Sequence, residues 1–233
     1  MNKTRRFLSL LLTLVLTLSL CVIPAAAANT QARSDDPVVF VHGLMGWGER
    51  AGLNSVLPYW GMTTGSLTAY LNSLGYETYS ATVGPISSAW DRACELYAQL
   101  TGTTVDYGAA HSAAHSHARY GIAYDRPLFD GWGTERAVNL VGHSFGGATT
   151  RLFLDILANG RPEEVAAAKA AGVEPSPFFL GGKGSWVHSL TAIAAPHNGT
   201  TFIETCGDFT MVAAELATSI SKALGLSAFK GVY

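Results

Sequence analysis

Gly142-His143-Ser144-Phe145-Gly146 is the stretch whose reading decides the fold. It follows Ala137-Val138-Asn139-Leu140-Val141, a short apolar run of strand character, and leads into a helical pattern that sets Ala148, Leu152 and Ile156 on one face. Strand, sharp turn and helix in that order, with G-x-S-x-G at the turn, describe a nucleophile elbow. The glycines leave room for a strained bend that lifts the serine hydroxyl above the sheet edge. Ser144 is therefore the candidate nucleophile. In a chain with 25 glycines a bare pentapeptide could match by accident; the flanking strand and helix argue against that.

Upstream, Pro37-Val38-Val39-Phe40-Val41 reads as a buried strand that runs into His42-Gly43-Leu44-Met45-Gly46-Trp47-Gly48. Glycines at such a strand end let backbone N–H groups turn toward a developing negative charge, so this is the candidate oxyanion loop. Its donors would be the backbone amides of Leu44 and of Phe145. An ordinary glycine-rich turn is the alternative for the loop taken alone. Leu67, Tyr70, Leu71 and Leu74 stand at helical spacing up to Gly75, and residues 78–83 read as a second strand.

Further along, Ser88-Ala89-Trp90-Asp91 opens a helix carrying Cys94, Tyr97 and Leu100, and Arg161-Pro162-Glu163-Glu164 opens another that ends near Gly172. Residues 187–193 supply the next buried strand, closed by His197-Asn198-Gly199-Thr200. This alternation predicts an α/β fold, a mostly parallel sheet flanked by helices.

The chain has 233 residues, enough for one substantial core. Lys3, Arg5 and Arg6 precede an apolar stretch over residues 7–23, and Pro24 leads into four alanines. That is the pattern of a secretory signal peptide over residues 1–28, followed by a loose polar leader over 29–36. A retained membrane anchor is the competing reading; no stop-transfer charges follow the stretch, so export without a permanent anchor is expected. A lipid anchor on Cys21 is disfavoured by the bulk of Leu20.

Removing residues 1–28 takes away three positive charges and no negative ones, moving the formal charge from −2 to −5. No basic field for nucleic acid remains. Cys94 and Cys206 survive, enough for one disulfide but not for a disulfide framework, and Cys94 falls among buried helical positions as a free thiol.

Asp91, His111, His115 and His117 gather four potential metal ligands in a short span. Zinc accepts imidazole nitrogen and carboxylate oxygen in a tetrahedral shell. The residues alone leave other readings open: Ser88-x-x-Asp91 resembles a capping box, and the histidines could sit in a solvated polar loop.

With these residues laid out, the chain from Pro37 to Tyr233 resembles the secreted thermoalkalophilic lipases of bacilli and, more distantly, the staphylococcal lipases. The segments that carry the resemblance are Val41-His42-Gly43 through Gly48, Val83-Gly84-Pro85, Trp90-Asp91-Arg92-Ala93-Cys94-Glu95 and Val105-Asp106-Tyr107-Gly108-Ala109-Ala110-His111. His117-Ala118-Arg119 and Pro196-His197-Asn198-Gly199-Thr200 add to them. The resemblance implies an α/β-hydrolase fold with a zinc-binding subdomain inserted over residues 85–125. It also implies action on water-insoluble triacylglycerols at an oil–water interface. By position the zinc ligands fall on Asp91, His111 and His117, leaving His115 as a bystander, with a structural role for the ion. A fourth ligand, any calcium ligands, and the catalytic acid and base would lie beyond Tyr233.

Three departures from the family pattern matter. The nearest bacillar pattern has alanine where Gly142 stands and glutamine where Phe145 stands; since Phe145 would contribute only its N–H, the oxyanion role survives. Asn198 replaces an aspartate. In α/β-hydrolases the triad runs Ser, then Asp or Glu, then His, so residues 1–233 are expected to be the N-terminal portion of a serine esterase, inactive by themselves. Val212, Leu216, Ile220 and Leu224 form an apolar stripe; the resemblance makes residues 210–225 a lid helix, with an ordinary core-facing helix as the alternative from the pattern alone. Two rival functions stay open: a zinc-dependent hydrolase and a non-catalytic secreted binding module of the same fold. Acyl-chain preference and oligomeric state are not legible.

Overall fold

The computed structural model describes residues 36–201. The expected signal peptide, most of the leader, the lid stripe and Cys206 lie outside the described residues. The elements, in chain order, are β1 (Val38–Val41), α1 (Leu67–Ser73), β2 (Thr78–Ala81), α2 (Ala89–Thr101), β3 (Thr104–Asp106), α3 (Ala109–His115), β4 (Tyr120–Ala123), β5 (Val138–His143), α4 (Phe145–Asn159), α5 (Pro162–Ala170) and β6 (Val187–Ile193).

β1, β2, β5 and β6 form one parallel sheet in the order β2-β1-β5-β6. The chain winds outward from β1 to β2, then crosses to the other side of β1 for β5 and β6. The switch point between β1 and β5 is where an open α/β sheet leaves a crevice at its strand ends. The register is in phase there, Val41 beside Gly142, so the segments after β1 and β5 emerge side by side.

β1 is apolar at every position and buried from Val39 to Val41, as a central parallel strand must be. α4 lies along β5 and β6 and packs against α2. Between them sit Phe153, Leu96, Leu100, Leu140, Ile156, Leu157 and the aromatic pair Phe178 and Phe179, all buried. α2 begins at Ser88, whose hydroxyl accepts from Asp91 N, and ends at Gly102 in the left-handed region.

Three expectations change. The buried residues of α4 are Gly146, Gly147, Thr149, Thr150, Phe153, Ile156 and Leu157, with Ala148 and Leu152 only half-buried. Its two threonines can be buried because their hydroxyls donate to Gly147 O at 3.1 Å and Phe145 O at 3.0 Å within the helix. α1 turns Tyr70 and Leu74 outward, buries only Thr68, and holds β2 through Asn72, which accepts from Thr78 N at 2.8 Å. β6 follows the expected span but is largely exposed, because it is the edge of the sheet among the described residues. Residues 85–125 contain α2, α3 and an antiparallel pair, β3–β4, that the sequence pattern missed. Cys94 is buried as a free thiol.

Candidate active site

Ser144 sits at φ 54°, ψ −125°, between the last residue of β5 and the first of α4. For a residue with a Cβ this is a strained conformation, costing about 1–3 kcal/mol, and it persists only where its surroundings fix it. Ser144 N donates to Ile193 O at 2.9 Å, and Gly147 N donates to Ser144 O at 3.0 Å. The flanking glycines serve close approach. A Cβ on Gly142 would lie 2.5 Å from Gly146 O; one on Gly146 would be pressed onto Val41 O and lie 2.6 Å from His42 O. The side chain of Ser144 is half-buried at the sheet's C-terminal edge.

The segment after β1 closes against this turn. A Cβ on Gly43 would stand 2.9 Å from the Cβ of Ser144. That places Gly43, and Leu44 after it, beside the serine, while Phe145 opens α4, whose N-terminal N–H groups and dipole favour negative charge. Tyr59 joins the two segments: its hydroxyl accepts from Gly43 N at 3.0 Å and hydrogen-bonds with His143 Nδ1 at 2.6 Å. Burial lowers the pKa of His143. No motif pointed to Tyr59; it stands in an uncharged stretch, Ala51 to Ser66, whose pattern gave no signal.

His42 is fully buried, and burial is the main cause that lowers its pKa to about 4. Its tautomer follows from its partners. Gly43 O, 2.9 Å from Nδ1, can only accept, and Val83 N, 3.3 Å from Nε2, can only donate. The proton is therefore on Nδ1. Beneath the loop lies Arg92, the largest fully buried side chain. It donates from Nε to Thr149 Oγ1 at 3.0 Å, from Nη1 to Gly84 O at 2.8 Å, and from Nη2 to His42 O. Burial pulls its pKa down to about 10, which still leaves it charged at neutral pH.

With the strand–turn–helix geometry in place, comparison with known proteins decides the family. The model for "Lipase-like, C-terminal domain" matches residues 34–229. The chain belongs to this lipase-like family. It is 44% identical over 181 residues to Lipase 2 of Staphylococcus aureus, covering 77% of this chain and 26% of that protein. Among solved structures, lipase 1 from Pelosinus fermentans aligns with a TM-score of 0.73 at 43% identity, covering 84% of this chain and 50% of that one. The Staphylococcus hyicus lipase aligns with a TM-score of 0.70 at 39% identity, covering 83% and 50%. The lipase-like chain therefore spans half or less of the length of each of these three relatives.

The metal candidates converge at the start of α2. Asp91 Oδ1 lies 3.1 Å from His111 Nε2 and 3.8 Å from His117 Nε2, and one ligand atom from each of the three falls within 4.8 Å of the others. A tetrahedral zinc shell separates its ligand atoms by about 3.3 Å, so the set fits that geometry and needs a further ligand. Of the capping box, the structure shows the Ser88 half, its hydroxyl accepting from Asp91 N at 3.1 Å. Asp91 Oδ2 accepts from Ser88 Oγ at 2.8 Å while Oδ1 faces the imidazoles.

His117 Nδ1 donates to Ala118 O at 2.9 Å, which leaves the Nε2 lone pair toward Asp91. The His111 ring stacks on Trp90 with centroids 4.9 Å apart, and burial, the largest cause, lowers its pKa. His115 is exposed on α3, its ring 4.4 Å from that of His111, and is not one of the converging set. Glu164, 2% exposed on α5, accepts from Ala110 N at 2.8 Å and His111 N at 2.7 Å, capping α3. The sequence placed Glu164 correctly in the first turn of α5 but gave no sign that its carboxylate serves α3.

Proposed function

We propose that the chain carries the nucleophile of a secreted carboxylic-ester hydrolase, a triacylglycerol lipase working through an acyl-enzyme at an oil–water interface. The observation that carries this reading is Ser144 held at positive φ between strand and helix, with Gly43 against its Cβ. The family and the relatives named lipases support it. Ser144 Oγ attacks the ester carbonyl carbon and gives up its proton to a histidine base. The amides of Leu44 and Phe145 donate to the oxyanion, and collapse of the tetrahedral adduct expels the alcohol, which takes a proton from the same base. Water then cleaves the acyl-enzyme by the same route in reverse. Among the described residues no histidine is assigned as that base.

Asp91, His111 and His117 would hold zinc in a structural role. When bound, the ion supplies a cross-link between the start of α2 and the α3 region. Export rests on the basic and apolar pattern of residues 1–28. Among the described residues no helix is long and apolar enough to cross a membrane.

A fluorophosphonate probe applied to the full-length protein from culture medium tests the mechanism. Labelling confined to Ser144, abolished by Ser144→Ala and accompanied by loss of ester turnover, is the expected result. Turnover that survives Ser144→Ala in folded protein overturns it.

A further inference from the structure

A cation buried without an ion-pair partner is costly, and among the described residues Arg92 has none within salt-bridge distance. Every hydrogen bond described for it goes to a neutral oxygen: Thr149 Oγ1, Gly84 O, His42 O and, at 3.4 Å from Nη1, Gly43 O. Glu95, the carboxylate whose charge acts on it most, uses its own oxygens on Gly84 N at 2.5 Å and the Tyr107 hydroxyl at 3.1 Å. The guanidinium instead joins three segments: the loop after β1, the loop after β2, and the first turns of α4.

We propose that Arg92 is a positioning residue for the oxyanion hole, fixing with the His42 ring the peptide plane that carries the Leu44 N–H. The inference rests on the ester-hydrolase reading. In a trans peptide the C=O of Gly43 and the N–H of Leu44 belong to one rigid plane and point in opposite directions. Gly43 O takes the His42 Nδ1 proton at 2.9 Å and faces Arg92 Nη1 at 3.4 Å. Two donors on that oxygen turn the Leu44 N–H to the side away from Arg92, and they polarise the peptide so that its N–H becomes a stronger donor.

The same guanidinium reaches the residue that carries the second expected donor, through its ring and its carbonyl. Its Cζ lies 5.1 Å from the Phe145 ring centroid, and Thr149 Oγ1, which receives Arg92 Nε, donates to Phe145 O at 3.0 Å. Lysine in its place keeps the charge but offers one ammonium, which cannot span carbonyls on two loops and a hydroxyl on α4 together.

The test compares full-length wild type, Arg92→Lys and Thr149→Val, each shown to be folded by its thermal transition. Three quantities are read: the rate constant for fluorophosphonate labelling of Ser144, kcat and KM on a p-nitrophenyl ester, and deuterium exchange over residues 42–46. Arg92→Lys should lower labelling and kcat by about 10- to 100-fold, the range expected when an oxyanion donor is misdirected rather than removed. KM should hold and exchange in the loop should quicken; Thr149→Val should move each quantity the same way by less. Labelling and kcat at wild-type level in both folded variants overturn the proposal, and Thr149→Val decides it if Arg92→Lys does not fold. If wild-type Ser144 resists the probe, the hydrolase reading fails separately. Exchange then judges the loop: unchanged protection in Arg92→Lys refutes the positioning role, and faster exchange upholds it.

Discussion

On helix propensity alone, Gly146→Ala should stabilise the protein, because alanine is favoured over glycine in a helix by about 1 kcal/mol. The structure reverses the sign. Gly146 is the second residue of α4, and its added methyl would be pressed onto Val41 O and sit 2.6 Å from His42 O. Both oxygens belong to the backbone at the end of β1, which is held between β2 and β5, so neither can swing aside as a side chain would.

Overpacking of this kind costs about 1–3 kcal/mol, and with only backbone to move the upper part of that range applies. Against a gain of about 1 kcal/mol, the net expectation is destabilisation by about 2 kcal/mol. Urea unfolding followed by tryptophan fluorescence measures it, with Gly52→Ala as control. A Cβ on Gly52 meets nothing within 4 Å, and that variant should stay within about 0.5 kcal/mol of wild type. Because relief of the clash must separate α4 from the loop after β1, labelling of Ser144 should slow in the folded fraction as well. An unfolding midpoint for Gly146→Ala at or above that of wild type would show that the elbow does not need this approach.

The pH dependence of stability follows from His42, whose pKa falls from the ordinary 6.5 to about 4 on folding. Between those values the unfolded chain binds the proton and the folded one does not. Stability is therefore full above the unfolded pKa and is lost as pH drops toward about 4, by about 3 kcal/mol in total. Urea titrations at pH 7 and pH 4 should show a smaller difference for His42→Asn; an identical difference contradicts the assignment. Glu164→Ala strips the carboxylate from the N–H groups of Ala110 and His111, and at about 1.5–3 kcal/mol for hydrogen bonds to a charged group it should lower stability by about 2–3 kcal/mol. A loss under about 1 kcal/mol in chemical unfolding speaks against that cap. Chelation should lower the thermal midpoint while the still-folded protein keeps its turnover, and Asp91→Asn should erase the chelator's effect. Immediate loss of turnover without unfolding would instead favour the zinc-dependent hydrolase.

Most element positions were legible because local signals set them. Ser88 ahead of an apolar run starts α2, Gly102 ends it, and Pro162 with two acids starts α5. Faces were less legible. The rule that apolar residues mark the buried stripe failed on α4, where Thr149 and Thr150 bond back into their own helix and can be buried at little cost. It failed again on α1, where Tyr70 and Leu74 keep helical spacing yet face outward. β3 and β4, three and four residues long, carry too little pattern to be read, and only their pairing defines them.

Sequence by itself determined the strand, bend and helix around Ser144, since a glycine-framed serine between an apolar run and a helical one leaves the backbone few alternatives. It also supplied the set of Asp91, His111 and His117 as chemically suited ligands. Tertiary structure alone decided what grips the turn: Arg92 reaches His42 across 50 residues and Thr149 across 57. Tyr59 reaches His143 across 84. Contacts at that separation leave no periodicity in the chain, because they depend on which strands neighbour each other, and only the order β2-β1-β5-β6 brings those residues together.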